Sequence, residues 1–282
     1  MVIRLVTPRH AVRTQWNSAA IRKHCAETGH NLYMSPAIDS IDGRPVTNSE
    51  KIAIISGAKG SKSRTDRAGL SKHVELAIGA PVMVTLNIHT DLDVANGVRG
   101  EIVGIVLNEQ EDPSSIHERS TIHLHYPPRF ILVKLNRTKA PPLEGLPANV
   151  IPIVPVNKTF TITNDGSHLT VTRTQLPLTP AYAFTDYRSQ GQTIDPVFVD
   201  IGRPPYGFLT PFNIYVALSR GTSQNHIRLL RDFDESLLQQ HPSEFLRIED
   251  ERLQALNHLT KQIWCTQGKK PHYDDRTFIE IL

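Results

Sequence analysis

Apolar runs separated by polar or proline-containing breaks predict the elements at the start of the chain. The run over residues 2–7 suits a buried strand, and Pro8 ends it. Apolar residues at helical spacing follow, and Gly29 is the kind of residue that commonly ends a helix. Residues 70–78 indicate a short helix, and residues 82–86 have the pattern of a second buried strand.

The pattern changes over residues 96–178, where many short apolar runs alternate with turns. Seven prolines, from Pro127 to Pro155, exclude long helices from this stretch. The strands expected here cover residues 102–107, 121–125, 130–135, 151–156, 159–163 and 168–174. Many short strands joined by loops favour a barrel-like arrangement. We therefore predict that residues 96–178 form a small β module inserted into an α/β domain.

An α/β pattern returns after residue 178. Helices are expected at 181–190, 213–219 and 244–264, and strands at 197–201 and 227–230. The predicted fold class is α/β, with strands 2–7, 82–86, 197–201 and 227–230 in one sheet. The predicted domains are 1–95 with 179–245, the inserted module at 96–178, and a C-terminal helix and tail at 246–282.

Composition narrows the possible classes of protein. The 282 residues carry 31 Lys and Arg against 28 Asp and Glu, a net charge of +3, so contacts to an acidic polymer must be local. Cys25 and Cys265 are far apart, which excludes a disulfide framework or a zinc finger as the organising element. No apolar stretch approaches the length of a membrane span, and no signal-peptide pattern is present. We expect a soluble, intracellular protein.

The segment Ser189-Gln190-Gly191-Gln192-Thr193 is the first candidate for chemistry. Small and hydroxyl residues around a glycine let backbone amides approach a phosphate closely. Gln190 can both donate and accept hydrogen bonds, and the preceding Arg188 supplies positive charge. A helix end capped by Gly191 explains the same residues without any ligand. The local pattern leaves both interpretations open.

The segment Tyr-Val-Ala-Leu-Ser-Arg over residues 215–220 is the second candidate. Arg220 ends a strongly apolar helix, and a packed helix is the rigid mount that a charge-stabilising arginine needs in phosphoryl transfer. An arginine that complements the helix dipole is the alternative interpretation.

Together these two segments closely resemble motifs V and VI of superfamily 1 helicases of the Pif1-like and RecD-like type, including Helitron-type proteins. The turn Asn-Gly-Val-Arg-Gly at 96–100 resembles the Asn-Gly-x-x-Gly turn of that family, and Thr7-Pro8-Arg9 is similar to its motif IV. The resemblance covers most of residues 1–235. The chain departs from the family at Tyr187-Arg188, where His-Lys is usual. Arginine keeps the positive charge, whereas tyrosine does not replace an ionisable imidazole.

The resemblance implies the second RecA-like domain (domain 2A) of a P-loop-NTPase-type helicase, carrying an SH3-like 2B insertion. It makes Arg220, Arg9 and Gln190 the catalytic candidates. The residues expected to contact nucleotide are Gly191, Arg220 and Arg9. The residues expected to contact DNA are Thr7, Asn96, Thr185, Arg188, Ser189 and Gln190. We expect no metal site within the chain.

The sequence has no phosphate-binding loop of the type G-x-x-x-x-G-K-[ST]. Residues 57–64 come nearest, but their glycine spacing fails, so a mobile basic loop is expected there. ATP and Mg²⁺ are therefore expected only in the complete helicase, where a first RecA-like domain would hold them. By itself the chain is predicted to be inactive.

The implied partners are single-stranded DNA and that first RecA-like domain, without a membrane, and the expected location is the nucleus. Two alternatives stay open. One is a non-enzymatic module that binds single-stranded nucleic acid, and the other is a fragment that docks onto a helicase.

Overall fold

The structure is a computed structural model that describes residues 4–56, 68–112, 120–164, 166–204, 207–239 and 243–266. The chain divides into two compact units, Met1–Phe233 and Asp234–Leu282. The basic loop predicted at 57–64 lies outside the described residues.

Strands outnumber helices in the first unit, and one long helix makes up most of the described second unit. From the amino end, the elements are β1 (Arg4–Val6), α1 (His10–Thr28), β2 (Leu32–Pro36), β3 (Ile38–Ile41), β4 (Arg44–Pro45), α2 (Asn48–Ser56), β5 (His73–Leu76), β6 (Pro81–Val84), β7 (Arg99–Val106), β8 (Thr121–His123) and β9 (Phe130–Leu135). They continue with β10 (Val150–Ile153), β11 (Val156–Asn164), β12 (Ser167–Gln175), β13 (Leu178–Pro180), β14 (Ala183–Phe184), α3 (Asp186–Ser189), β15 (Val197–Val199), α4 (Pro211–Leu218), β16 (Ile227–Leu229) and α5 (Glu244–Thr266).

One sheet is parallel throughout and has the strand order β14-β1-β15-β16. The sequence predicted three of its members, at 2–7, 197–201 and 227–230, and the structure confirms that these strands share a sheet. Because the strands run in one direction, the residues that follow them meet at the same edge. These residues include Thr7, Thr185 and Asp200.

Helix α1 packs beside this sheet and is fixed to β14 by one buried amide. Asn17 Oδ1 accepts hydrogen bonds from the backbone N–H groups of Tyr182 and Ala183, at 3.0 and 2.7 Å. Its Nδ2 donates to the Ala183 carbonyl at 3.3 Å. The helix ends as predicted, because Gly29 adopts φ 74° and its N–H bonds the Cys25 carbonyl.

A five-stranded antiparallel sheet has the order β10-β9-β7-β6-β13. Ile102, Ile131 and Val133 are fully buried in its core. Because β6 belongs here, the prediction that strand 82–86 joins the parallel sheet is wrong. A continuous apolar run suits a buried strand in either kind of sheet, so the pattern did not identify its neighbours.

Two smaller sheets have the orders β11-β12-β3-β4 and β5-β2-β8. In the first, β3 pairs with β12, and in the second β2 pairs with β8. Strands from before residue 96 therefore share sheets with strands from 96–178. The predicted domain boundary at residue 96 separates elements that the backbone hydrogen bonds join, and it is corrected here.

Two helix predictions are also wrong. Residues 70–78 contain strand β5, in which Val74 and Leu76 are buried while His73 is exposed, and this alternation has the period of a strand. In the segment 181–190, residues 183–184 form β14 and only residues 186–189 are helical.

A buried ion pair joins β12 to β3. Arg173 is 1% exposed, and its Nε and Nη2 donate to the two carboxylate oxygens of Asp39 at 2.7 and 2.8 Å. The guanidinium also donates to the Leu70 carbonyl at 3.2 Å and lies 5.3 Å from the centroid of the Phe160 ring. Loss of the Asp39 carboxylate would take two charge-assisted hydrogen bonds from a buried guanidinium.

In the second unit, α5 confirms the closing helix predicted at 244–264. None of its residues is buried. Its exposed apolar side chains are Phe245, Leu246, Ile248, Leu253, Leu256, Leu259, Ile263 and Trp264. Among the described residues, no helix combines the length and the apolar character needed to cross a membrane.

Candidate functional site

Helix α4 gives Arg220 the rigid mount that the sequence predicted. The helix begins with Pro211 and a capping box, in which the side chains of Thr210 and Asn213 each accept a hydrogen bond from the other residue's backbone N–H. Val216 and Ala217 are buried on its inner face. These contacts fix both the start and the packing of the helix that carries Arg220.

The guanidinium of Arg220 turns back onto the loop that follows α3. Its Nη1 donates to the carbonyls of Ser189 and Gln192, each at 3.1 Å. Nε donates to the Val216 carbonyl at 2.8 Å, and Nη2 donates to Ser219 Oγ at 2.6 Å. A guanidinium has five N–H donors, so these contacts leave one N–H, on Nη2. Arg220 thus joins the two segments that the sequence singled out.

The residues around α3 fall into a buried and an exposed group. Thr185 and Ser189 are 4% and 0% exposed, and Ser189 Oγ donates to the Asp186 carbonyl at 2.8 Å. Gln190 and Gly191 are exposed, and Gly191 has φ 71°, which glycine adopts without strain. The side chains of Thr185 and Ser189 therefore lie in the interior, and the expected DNA contacts of these two residues stay a prediction.

Gln192 ties this loop to the glycine turn at 96–97. Its Nε2 donates to the Arg188 carbonyl at 2.8 Å and reaches the Gly97 carbonyl at 3.5 Å. Asn96 is exposed on the same turn. The structure therefore brings Asn96, Arg188 and Gln190 into one neighbourhood, although 96 and 188 are far apart in the chain. The sequence interpretation did not single out Gln192 as the connection.

Positive charge accumulates on the same side of the loop. Arg99 Nη2 donates to the Thr193 carbonyl at 3.4 Å, and its guanidinium lies 5.8 Å from the centroid of the Phe184 ring. Burial lowers the pKa of Arg99, and the positive charges of Arg4 and Arg137 lower it further. The three arginines create a local positive potential despite the small net charge of the chain.

Thr7 and Arg9 meet a buried carboxylate at the carboxyl edge of the parallel sheet. Asp200 Oδ2 accepts from Thr7 Oγ1 at 2.8 Å and from Arg9 Nη2 at 2.5 Å, and Oδ1 accepts from Arg231 Nε at 2.8 Å. Burial raises the pKa of Asp200, but the hydrogen bonds from Arg231, Arg9 and Thr7 outweigh it. The pKa of Asp200 therefore lies below its ordinary value.

This cluster contains two of the expected site residues. Thr7 is fully buried, and its hydroxyl donates to Asp200. Arg9 forms an ion pair with Asp200, and its side chain is 24% exposed. The DNA contact of Thr7 and the nucleotide contact of Arg9 stay predictions. Sequence reasoning missed Asp200 and Arg231. The available signal was that Thr7 and Asp200 each directly follow a strand of the parallel sheet.

The ranges that the structure describes contain no group of three or more His, Cys, Asp or Glu side chains that could hold a metal ion.

Comparisons with known proteins point to one family. No family model matches the chain. The ATP-dependent DNA helicase PIF5 of Trypanosoma brucei brucei is 43% identical over 88 residues, which are 30% of this chain and 9% of that protein. The human ATP-dependent DNA helicase PIF1 is 28% identical over 165 residues, 58% of this chain and 20% of that protein. The chain resembles Pif1 helicases in sequence, as its motifs predict.

The Pif1-like chain also has a structural relative. The crystal structure of Pif1 helicase from Candida albicans matches it with a TM-score of 0.54 at 18% identity, covering 90% of this chain and 50% of that one. This match shows the fold, a mixed α/β arrangement with a parallel sheet, and confirms that part of the predicted fold class. The chain spans about half of that structure and a fifth or less of the two curated relatives.

Proposed function

We propose that this Pif1-like chain is the second RecA-like domain of an ATP-dependent DNA helicase, to which it supplies the arginine finger and part of the single-strand contact surface. The observation that carries the proposal is the position of Arg220 at the end of α4, with its guanidinium on the Ser189 and Gln192 carbonyls. Movement of Arg220 toward a nucleotide would release the loop that presents Gln190. One side chain would then couple a nucleotide site to a strand-binding loop.

ATP and Mg²⁺ belong, in this proposal, mainly to a first RecA-like domain. The donors of Arg220 fit a phosphate, because one Nη2 N–H has no acceptor among the described residues and guanidinium N–H groups match phosphate oxygens. Bound ATP would supply the phosphoryl group that is transferred to water. Arg220 would stabilise the negative charge of that group, and Gly191 would let the backbone approach it closely.

The proposed contact surface for single-stranded DNA consists of Asn96, Arg188 and Gln190, with Thr7, Thr185 and Ser189 supporting it from the interior. Contacts to phosphates carry little sequence information, so binding should tolerate any sequence and weaken with salt. An SH3-like module would be built on β7, β9 and β10, and it would adjoin this surface through the turn at 96–97.

The test of the finger uses a protein in which this chain is joined to a first RecA-like domain. Arg220→Ala should lower DNA-stimulated ATP turnover by about 10³- to 10⁵-fold, while nucleotide affinity changes little. Arg228→Ala is the matched control, because Arg228 is exposed and its guanidinium donates to the nearby carbonyls of Asn225 and Ile227. Near-normal turnover in Arg220→Ala would contradict the finger role.

The isolated chain provides the complementary measurement. It should bind single strands without hydrolysing ATP, because its sequence lacks the lysine loop that holds nucleotide phosphates. If the joined protein also binds single strands with no hydrolysis, the chain is a non-enzymatic binding module.

A further inference from the structure

Three aromatic rings stand on the outer faces of α3 and α4. Tyr187 is 63% exposed, Phe212 is 43% exposed and Tyr215 is 70% exposed. The rings of Tyr187 and Phe212 are in contact, with centroids 5.9 Å apart and planes tilted by 43°. Phe212 and Tyr215 are three residues apart on one helix, so they lie on the same face. Exposed aromatic rings that contact each other form an apolar patch, and such patches mark interaction sites.

The two helices hold these rings in fixed positions. Asn213 Nδ2 donates to the buried carboxylate of Asp186, which joins the start of α4 to the start of α3. Arg220 joins the other end of α4 to the end of α3 through the Ser189 carbonyl. The mount is therefore rigid, and little side-chain entropy would be lost when a flat ligand stacks on the rings.

The charges near these rings favour an anionic partner. Arg188 follows Tyr187 directly, and Gln192 links the Arg188 carbonyl to the turn that leads to Arg99. The carboxylate of α3 does not oppose this charge at the surface, because Asp186 is 2% exposed. Exposed aromatic rings beside arginines are the combination by which proteins bind single-stranded nucleic acid without reading its sequence.

We propose that Tyr187 and Phe212 form a stacking platform for unpaired nucleobases, and that the phosphates of the same strand lie along the loop of Arg188 and Gln190. The platform rests on the proposed strand contact and deepens it, since it adds contacts to bases where that function supplied contacts to phosphates only. The departure from the family at Tyr187 then has a use, because a phenol ring stacks on a base.

The test measures the affinity of the full chain for a labelled oligothymidylate and for an abasic strand of equal length. Tyr187→Ala and Phe212→Ala should each weaken oligothymidylate binding by about 5- to 100-fold, and abasic-strand binding much less. Tyr187→Phe and Phe212→Tyr should bind oligothymidylate as the unmodified chain does, because each keeps an aromatic ring at its position. Phe245→Ala is the matched control, since Phe245 is also a highly exposed ring but lies on α5.

The outcomes separate the platform from the function on which it rests. If the unmodified chain binds both strands equally and the alanine variants bind like it, the platform is wrong and the phosphate contact stands. If it binds neither strand, the strand contact itself fails. The alanine substitutions can also be made in the joined protein. If they leave strand binding unchanged but abolish DNA-stimulated ATP turnover, the rings face another protein domain, which also overturns the platform. A photo-crosslink from a halogenated thymidylate strand to Tyr187 would support it directly.

Discussion

Replacement of Asp200 by asparagine tests whether the buried carboxylate holds the carboxyl edge of the parallel sheet together. The substitution keeps the shape of the side chain but removes the charge that Arg9 and Arg231 share. Loss of one partner of a buried ion pair costs about 3–5 kcal/mol. Both arginine side chains are partly exposed, at 24% and 36%, and water can solvate them. We therefore expect Asp200→Asn to lower the free energy of unfolding by about 3 kcal/mol, the lower end of that range.

The assay is thermal unfolding followed by tryptophan fluorescence in a Trp264→Phe background. Trp16 is then the reporter, and its ring lies 6.2 Å from the ring of Phe198, two residues before Asp200. A cost of 3 kcal/mol in a unit of this size lowers Tm by about 6–12 °C. Glu109→Gln is the control, because it breaks an ion pair between exposed side chains, and such pairs contribute little. An unchanged Tm in Asp200→Asn would refute the role given to the carboxylate.

The Tm of the parent protein and the Tm of Asp200→Asn should depend differently on pH. The folded-state pKa of Asp200 is lowered, so its contribution is complete above the unfolded value of about 3.9 and is lost as pH falls toward the folded value. The gap in Tm between the parent and Asp200→Asn should therefore narrow in acid. A gap that stays constant below that pH would show that the charge of Asp200 is not what stabilises the fold.

Three further substitutions test other contacts of the fold. Asp39→Ala should destabilise the first unit by about 3–5 kcal/mol in urea unfolding, because it takes two charge-assisted hydrogen bonds from the buried Arg173 guanidinium; an unchanged midpoint would contradict this. Gly100→Ala should lower Tm or the soluble yield, since its Cβ would lie 2.5 Å from the Lys134 carbonyl oxygen. Asn17→Ala should cost about 1–3 kcal/mol by leaving backbone groups of β14 unpaired, and calorimetry showing no loss would refute it.

Local patterns predicted elements well where one chemical rule applied. Gly29 ended α1 as expected, and the long apolar periodicity of α5 gave a helix that the structure contains. The secondary structure of short segments was harder to predict. Residues 70–78 contain enough good helix formers to indicate a helix, but pairing with β2 made His73–Leu76 a strand. Tertiary contacts decided between the two patterns.

The sequence predicted some residues of the candidate site and missed others. Arg220 and Gln190 were found because their segments resemble a known family, and the structure places both on one loop system. Asp200 was missed because a single aspartate after a strand has no motif. Burial of Thr7 and Ser189 was also missed, since a hydroxyl residue in a loop can face either solvent or the interior.

The parallel sheet has a consequence for the order in which the chain folds. Thr7 and Asp200 are separated by 193 residues, whereas β11 and β12 are joined by a tight hairpin. Closing a long loop costs more entropy than closing a short one, and distant pairings form slowly. We expect the hairpin of β11 and β12 to form first, and the parallel sheet beside Arg220, where β1 pairs with the distant β15, to close last. Trp16 packs near Phe198 of β15, so its fluorescence changes when the parallel sheet closes. Stopped-flow measurement of Trp16 fluorescence should therefore report the slowest refolding phase of the first unit.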